Sequence, residues 1–266
     1  MTVPIALTIA GSDSGGGAGI QADLKTFAAL GVYGASVITA VTAQNTKRVA
    51  AIHDVPGEFV AVQMDAVFSD LDVSAVKIGM LSQAPVIEAV ADGLDRWRQG
   101  RVVLDPVVAS SSGDRLLATS AIGALKRTLI PRALVITPNL PEAAMLLDST
   151  VAKDEEEMRA QAEQLIKFGA KAVLIKGGHR QDAESVDLLV EPASMTRFAA
   201  ARIAASDIHG TGCALSSAIA AFLAKGMDLV GATRGAKNYV TAAIAASGRV
   251  KVGNGRAPVH HFYEWW

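Results

Sequence analysis

Two apolar patterns alternate along this chain. Short runs of consecutive, often β-branched apolar residues stand at 5–10, 36–41, 75–78, 102–104, 134–137 and 172–175. Between them, at 22–30, 58–68 and 85–97, apolar residues return every three or four positions. Strands that are apolar at every position are buried on both faces. Helices alternating with such strands cover a parallel sheet from two sides. The pattern predicts a three-layer αβα fold with a mostly parallel central sheet. The alternation stops after Lys176. Residues 186–190 and 196–203 read as two strands with no room for a helix between them, so an antiparallel hairpin is expected at the sheet edge. Two helices, starting near Cys213 and Leu229, close the chain. No repeat, low-complexity tract or linker interrupts it, and a single domain over 1–266 is expected.

In such a sheet, ligands gather beyond the carboxyl ends of the strands, and the distinctive residues fall there. The first strand runs into Gly11-Ser12-Asp13-Ser14-Gly15-Gly16-Gly17-Ala18-Gly19, a loop that lets a ligand approach the main chain. Gly17 to Ala22 matches the dinucleotide pattern G-x-G-x-x-A. The second strand, however, ends Val41-Thr42-Ala43-Gln44 without the acid that would hold a ribose, which makes a nicotinamide-dependent oxidoreductase a remote alternative. No lysine follows a glycine, so there is no P-loop of the Walker type.

The strongest phosphate-binding candidate is Asp207-Ile208-His209-Gly210-Thr211-Gly212-Cys213, which opens an apolar helix. Glycines at a helix start free consecutive amides to face one anion, and the helix dipole adds positive charge there. The plainer alternative is a helix capped by Thr211. At other strand ends stand Asp105, then Asn139 with Glu142, then Lys176. Asp105 and Glu142 suit Mg²⁺ as a carboxylate pair, and Lys176 suits nucleotide phosphate. Asn139 and Glu142 also have the spacing of a helix capping box. Gln44 offers donor and acceptor together. Met80 reads as pocket wall or core, Asp23 as ligand contact or solvated side chain, and His209 as structural. His260-His261 shows no metal spacing, and Trp265 and Trp266 suit a surface or subunit contact. The segments 43–52 and 110–115 are candidate mobile flaps.

Composition narrows the class. The chain has 266 residues, is half hydrophobic and 19% charged, and carries a formal net charge of −1 with a sequence pI near 6.5. That is a globular protein without the basic field that nucleic acid requires. No apolar run is long enough to span a bilayer. One cysteine, Cys213, and a start without a basic signal region suggest a cytoplasmic protein.

The motifs, in order, resemble those of hydroxymethylpyrimidine/phosphomethylpyrimidine kinases in the ribokinase-like superfamily. The resemblance runs through residues 9–23, Thr42-Ala43-Gln44-Asn45-Thr46, Lys77-Ile78-Gly79-Met80-Leu81, Leu104-Asp105-Pro106-Val107, Thr137-Pro138-Asn139-Leu140-Pro141-Glu142-Ala143, Lys176-Gly177-Gly178-His179 and His209 to Cys213, nearly the whole chain. It implies a ribokinase-like homodimer that uses MgATP, with a monovalent cation as a further candidate cofactor. The implied reactions phosphorylate 4-amino-5-hydroxymethyl-2-methylpyrimidine and then its monophosphate, for thiamine diphosphate synthesis. It implies pyrimidine contacts from Gln44, Gly11, Asp23, Met80 and Val107, nucleotide contacts from Lys176, Asn139, Glu142 and Asp105, and an anion hole from Gly210 to Gly212. The superfamily places an aspartate as base where this chain has Cys213, as the pyrimidine-kinase branch does. Pyridoxal kinase, alone or as a second activity, and a non-catalytic binding protein on the same fold are the alternatives.

Overall fold

The computed structural model describes residues 3–108, 118–178, 183–203 and 208–266. The strands are β1 (Ile5–Asp13), β2 (Tyr33–Gln44), β3 (Val49–Asp54), β4 (Ala75–Ile78), β5 (Val102–Leu104), β6 (Val135–Ile136), β7 (Val173–Lys176), β8 (Glu184–Glu191) and β9 (Ser194–Ala201). They form one sheet in the order β3-β2-β1-β4-β5-β6-β7-β8-β9. Pairing is parallel from β2 through β7 and antiparallel for β2–β3, β7–β8 and β8–β9. The helices are α1 (Gly19–Ala29), α2 (Gly57–Phe68), α3 (Ala84–Arg96), α4 (Thr119–Ala124), α5 (Leu140–Leu147), α6 (Glu155–Ile166), α7 (Thr211–Ala224) and α8 (Leu229–Ala245). α4 runs on into a π-helical turn, Leu125–Leu129, and a 3₁₀ turn, Ile130–Arg132.

The period of two along each strand sorts side chains between two cores. Leu7, Ile9, Val76, Ile78, Val102 and Leu104 face the layer of α2 to α6. Ala6, Ala75, Val103 and Leu174 face the layer of α1, α7 and α8. The same alternation sends Thr8, two after Ala6, and Lys77, two after Ala75, toward α1 and α7, and both are fully buried. α3 buries Val86, Ile87, Val90, Ala91 and Leu94, one stripe at helical spacing, against the first core.

The expected hairpin is present as β8 and β9. A second hairpin, at the opposite edge, is a correction to the sequence reading. Residues 43–52, the flap candidate, are the end of β2, its turn and most of β3, paired from Ala40↔Asp54 to Gln44↔Val49. β3 is mostly solvent-exposed although it begins with the apolar run Val49 to Ile52, and main-chain pairing with β2 holds it. The other flap candidate, 110–115, lies outside the described residues. No described helix is long and apolar enough to cross a membrane.

Candidate active site

α7 begins at the carboxyl ends of the central strands. Its N-cap is Gly210, in the left-handed region at φ +83°, where a Cβ would run into the Gly17 carbonyl oxygen. The glycine is what lets the start of α7 pack on the glycine loop after β1. No side chain caps this helix, Thr211 included. Among the described residues, the amides of Thr211, Gly212 and Cys213 have no acceptor. A helix leaves its first amides unpaired, and here they stay available to an anion.

Beside Gly212 stands a charged cluster. A Cβ on Gly212 would lie 3.3 Å from Lys176 Nζ. Lys176 Nζ donates to Asp105 Oδ1 at 2.8 Å and lies 3.9 Å from Glu142 Oε2. Thr137 donates to Asp105 Oδ1 at 3.0 Å, and Ser216 Oγ lies 3.2 Å from Oδ2, with the Gly212 and Cys213 carbonyl oxygens nearer, at 3.0 and 3.1 Å. Burial alone would raise Asp105, but Lys176 and Lys77 outweigh it and hold the carboxyl below its usual range. Burial pushes Glu142 up to about 7, with the Asp105 charge adding to the rise and Lys176 opposing it. Lys176 is held above its ordinary value: burial lowers it, and Asp105 and Glu142 more than restore it. Asn139 and Glu142 do form a capping box, each side chain bonded at 2.8 Å to the other's amide. The cap fixes the Glu142 carboxylate beside Lys176.

On the other side of the helix start, Asp13 organises the glycine loop. It accepts from the amides of Gly15, Gly17 and Ala18 at 2.8, 3.0 and 2.8 Å. Its second oxygen also lies 3.4 Å from His209 Nε2. Burial raises Asp13, yet these bonds prevail and keep it below the ordinary carboxylate value. Gln44 Nε2 is 3.1 Å from His209 Nε2, so the end of β2 meets the residue just before Gly210. Gln44 and the free amides therefore share one locality.

Asp23 needs correcting. It is not a solvated side chain, because it is fully buried with both oxygens used. Thr8 Oγ1 and Lys77 Nζ donate to Oδ2 at 2.6 and 2.8 Å, and Ser217 Oγ donates to Oδ1 at 2.6 Å. Cys213 lies one turn before Ser217 on the same face of α7. Burial pushes its thiol up to about 11; Lys77 pulls it down, and Asp23 and Asp105 push it further up. It is a neutral thiol near pH 7. Met80 is buried, its sulfur 3.1 Å from where a Gly11 Cβ would sit. Val107 is half-buried just after Asp105. Trp265 and Trp266 are 70% and 65% exposed, at the surface as expected.

Asp13, Thr8, Lys77, Ser216 and Ser217 join the site or its support without a sequence motif that assigns them a role. Two signals were visible: a lysine inside an apolar four-residue strand, and a serine pair inside an apolar helix. Each marks a polar group that must find a partner indoors.

The sequence matches the family described as phosphomethylpyrimidine kinase over residues 13–260. It is 59% identical over 262 residues to a hydroxymethylpyrimidine/phosphomethylpyrimidine kinase of Rhizobium meliloti, covering 98% of each chain. A phosphomethylpyrimidine kinase of Clostridium difficile superposes with a TM-score of 0.81 at 43% identity, over 91% of this chain and 100% of that one. The ADP complex of Bacillus subtilis pyridoxal kinase superposes with a TM-score of 0.89 at 34% identity, over 98% of both. With the family model matched over nearly the whole length and a relative 59% identical, the chain belongs to the phosphomethylpyrimidine kinase family.

Proposed function

We propose that this enzyme transfers the γ-phosphoryl group of ATP to the hydroxymethyl oxygen of 4-amino-5-hydroxymethyl-2-methylpyrimidine, and then a second phosphoryl group to the monophosphate. The observation that carries this reading is the set of free amides at Thr211, Gly212 and Cys213, with Lys176 on one side and Gln44 on the other. The identity to a relative named for both activities supports the substrate.

Gln44, with Gly11, Met80 and Val107 as walls, holds the pyrimidine. Lys176 and Asn139 meet the nucleotide. Two carboxylates face one lysine at Asp105 and Glu142, and that surplus of negative charge fits a hydrated Mg²⁺ bound mainly through phosphate. When bound, the ion neutralises phosphate charge. In transfer, the hydroxymethyl oxygen bonds to the γ-phosphorus as its bond to ADP breaks, and the amides of α7 stabilise the charge on the moving group. With its thiol near 11, Cys213 does not remove the hydroxyl proton in advance. A loose transition state lets that proton leave late, to water directly or through Cys213 as its thiol passes its own proton to water. In the second transfer the nucleophile is an anionic phosphate oxygen and needs no base. We infer a cytoplasmic homodimer, which the free Cys213 and the exposed Trp265 and Trp266 support.

A coupled ADP-release assay on the pyrimidine, its monophosphate and pyridoxal tests this. Turnover of the first two above pyridoxal is expected; ADP release with pyridoxal alone would give the pyridoxal kinase reading, which the Bacillus subtilis likeness favours. In the same assay Cys213→Ala should slow the alcohol step about tenfold more than the phosphate step, and equal losses would remove Cys213 from proton transfer.

A further inference from the structure

We infer that His209, held by Asp13, is a positioning residue that fixes which end of the Gln44 carboxamide faces the substrate, and so sets the polarity of the ring edge the enzyme accepts. The inference rests on the reading of Gln44 as the pyrimidine contact. As placed, Gln44 has Nε2 3.1 Å from His209 Nε2 and Oε1 3.2 Å from Thr42 Oγ1. Thr42 has one hydroxyl proton, and its oxygen also lies 2.9 Å from the Ser12 carbonyl oxygen. A carbonyl only accepts, and the shorter contact takes the proton. The Gln44 atom beside Thr42 must then donate, which makes it the amide nitrogen. The two ends of a carboxamide have nearly the same outline, and their hydrogen bonds decide which is which. Turned by 180°, Gln44 gives its nitrogen to Thr42 and presents its oxygen to His209 Nε2, which must carry the hydrogen.

A second contact reaches the same answer independently. Asp13 Oδ2 lies 3.4 Å from His209 Nε2, and an ionised carboxylate only accepts. Local bonding keeps Asp13 ionised. A lone pair on Nε2, which the unturned amide demands, would face carboxylate lone pairs. With the hydrogen on Nε2, His209 donates to Gln44 at 3.1 Å and turns no lone pair toward Asp13 at 3.4 Å. The ring is also held in place: it packs so closely on Gly17 that a Cβ there would lie 2.7 Å from His209 Cδ2. The His209 amide donates to the Ala257 carbonyl at 2.8 Å.

The fixed amide keeps one lone pair on its oxygen and one hydrogen on its nitrogen for a ligand. A 4-aminopyrimidine edge offers an N–H donor beside a ring-nitrogen acceptor, which pairs with that amide in one sense only. Reversing the amide turns the ring over and carries its hydroxymethyl group away from the amides of α7. A 4-oxo ring has the opposite edge, an acceptor beside an N–H donor, and is refused for the same reason.

The experiment compares kcat/KM for 4-amino-5-hydroxymethyl-2-methylpyrimidine and its 4-oxo analogue in wild type, His209→Ala, His209→Gln and Gln44→Ala. Wild type should prefer the amino ring by at least about 100-fold, since an unpaired buried polar edge is heavily penalised. In His209→Ala only the 3.2 Å contact with Thr42 is left to order the carboxamide. The ratio should fall to about tenfold or less, with the KM for ATP unchanged. His209→Gln, which restores a donor, should recover part of the ratio. Should His209→Ala keep the wild-type ratio while Gln44→Ala weakens both rings, the positioning role is wrong and the Gln44 contact stands. Should Gln44→Ala leave both rings unaffected, the Gln44 reading itself is wrong, and this inference goes with it.

Discussion

Two aspartate–lysine pairs flank the first turns of α7, and each has a nitrogen–oxygen distance of 2.8 Å. Each reaches the helix through a serine, Ser217 to Asp23 and its neighbour Ser216 to Asp105. Their settings differ. Asp23–Lys77 has no exposed side-chain surface, and its carboxylate is saturated by Thr8, Lys77 and Ser217. Asp105–Lys176 lies at the cleft with the lysine 12% exposed, and Glu142 adds a second carboxylate. One pair is balanced and closed; the other carries surplus charge and access. The inner pair fastens α1 and β4 to α7, while the outer one stands at the surface of the cleft beside Glu142. What surrounds an ion pair, more than the pair itself, decides whether it serves structure or chemistry.

Breaking the inner pair should have the largest effect. Lys77→Met leaves the Asp23 carboxylate buried without its cation, a loss of about 3–5 kcal/mol. A fall in the denaturation midpoint of matching size is expected, with most of it regained in Asp23→Asn/Lys77→Met. A Lys77→Met protein as stable as wild type would mean that the closed pair contributes nothing to the fold. The outer pair should respond in the opposite currency. Lys176→Met should lower kcat/KM about 100- to 1000-fold, as when one donor to a transition-state anion is removed. Its midpoint should fall less than that of Lys77→Met, because water reaches the cleft. Equal losses of stability in the two variants would erase the distinction drawn between the pairs.

The same contrast explains what the sequence made legible. Consecutive apolar runs revealed the parallel strands, because burial on both faces leaves few polar positions in them, Thr8 and Lys77 being two. Strand ends then pointed to Asp105, Glu142 and Lys176, which the fold brings together beside Gly212. The burial of Asp23 was hidden because an acid on a helix looks alike whether it faces water or a buried lysine, and Lys77 is 54 residues away. β3 escaped because its residues are exposed and its pairing is all main chain. His209 passed as structural because its bonds to Asp13 and Gln44 span 196 and 165 residues. Periodicity records burial, and long-range polar partners leave no period behind.

The smallest effect expected concerns the surplus carboxylate of the outer pair. Burial, aided by the Asp105 charge and opposed by Lys176, raises Glu142 to about 7. An unfolded glutamate loses its proton near 4.5, so between these values the folded protein holds the proton that the unfolded chain has released. The stability of the nucleotide-free protein should therefore decline as pH rises from about 4.5 to about 7. Nucleotide binding should run the other way. Only the ionised carboxyl attracts a metal cation, so the KM for MgATP should fall by up to about tenfold per pH unit as pH rises toward 7, then level off. Glu142→Gln should hold KM at its weak limit and remove this slope, apart from the titration of ATP itself, which a phosphatase-free control with free nucleotide corrects. A slope that persists in Glu142→Gln would place the titrating group elsewhere, and the two-to-one balance of carboxylates to lysine would no longer account for how the outer pair differs from the inner one.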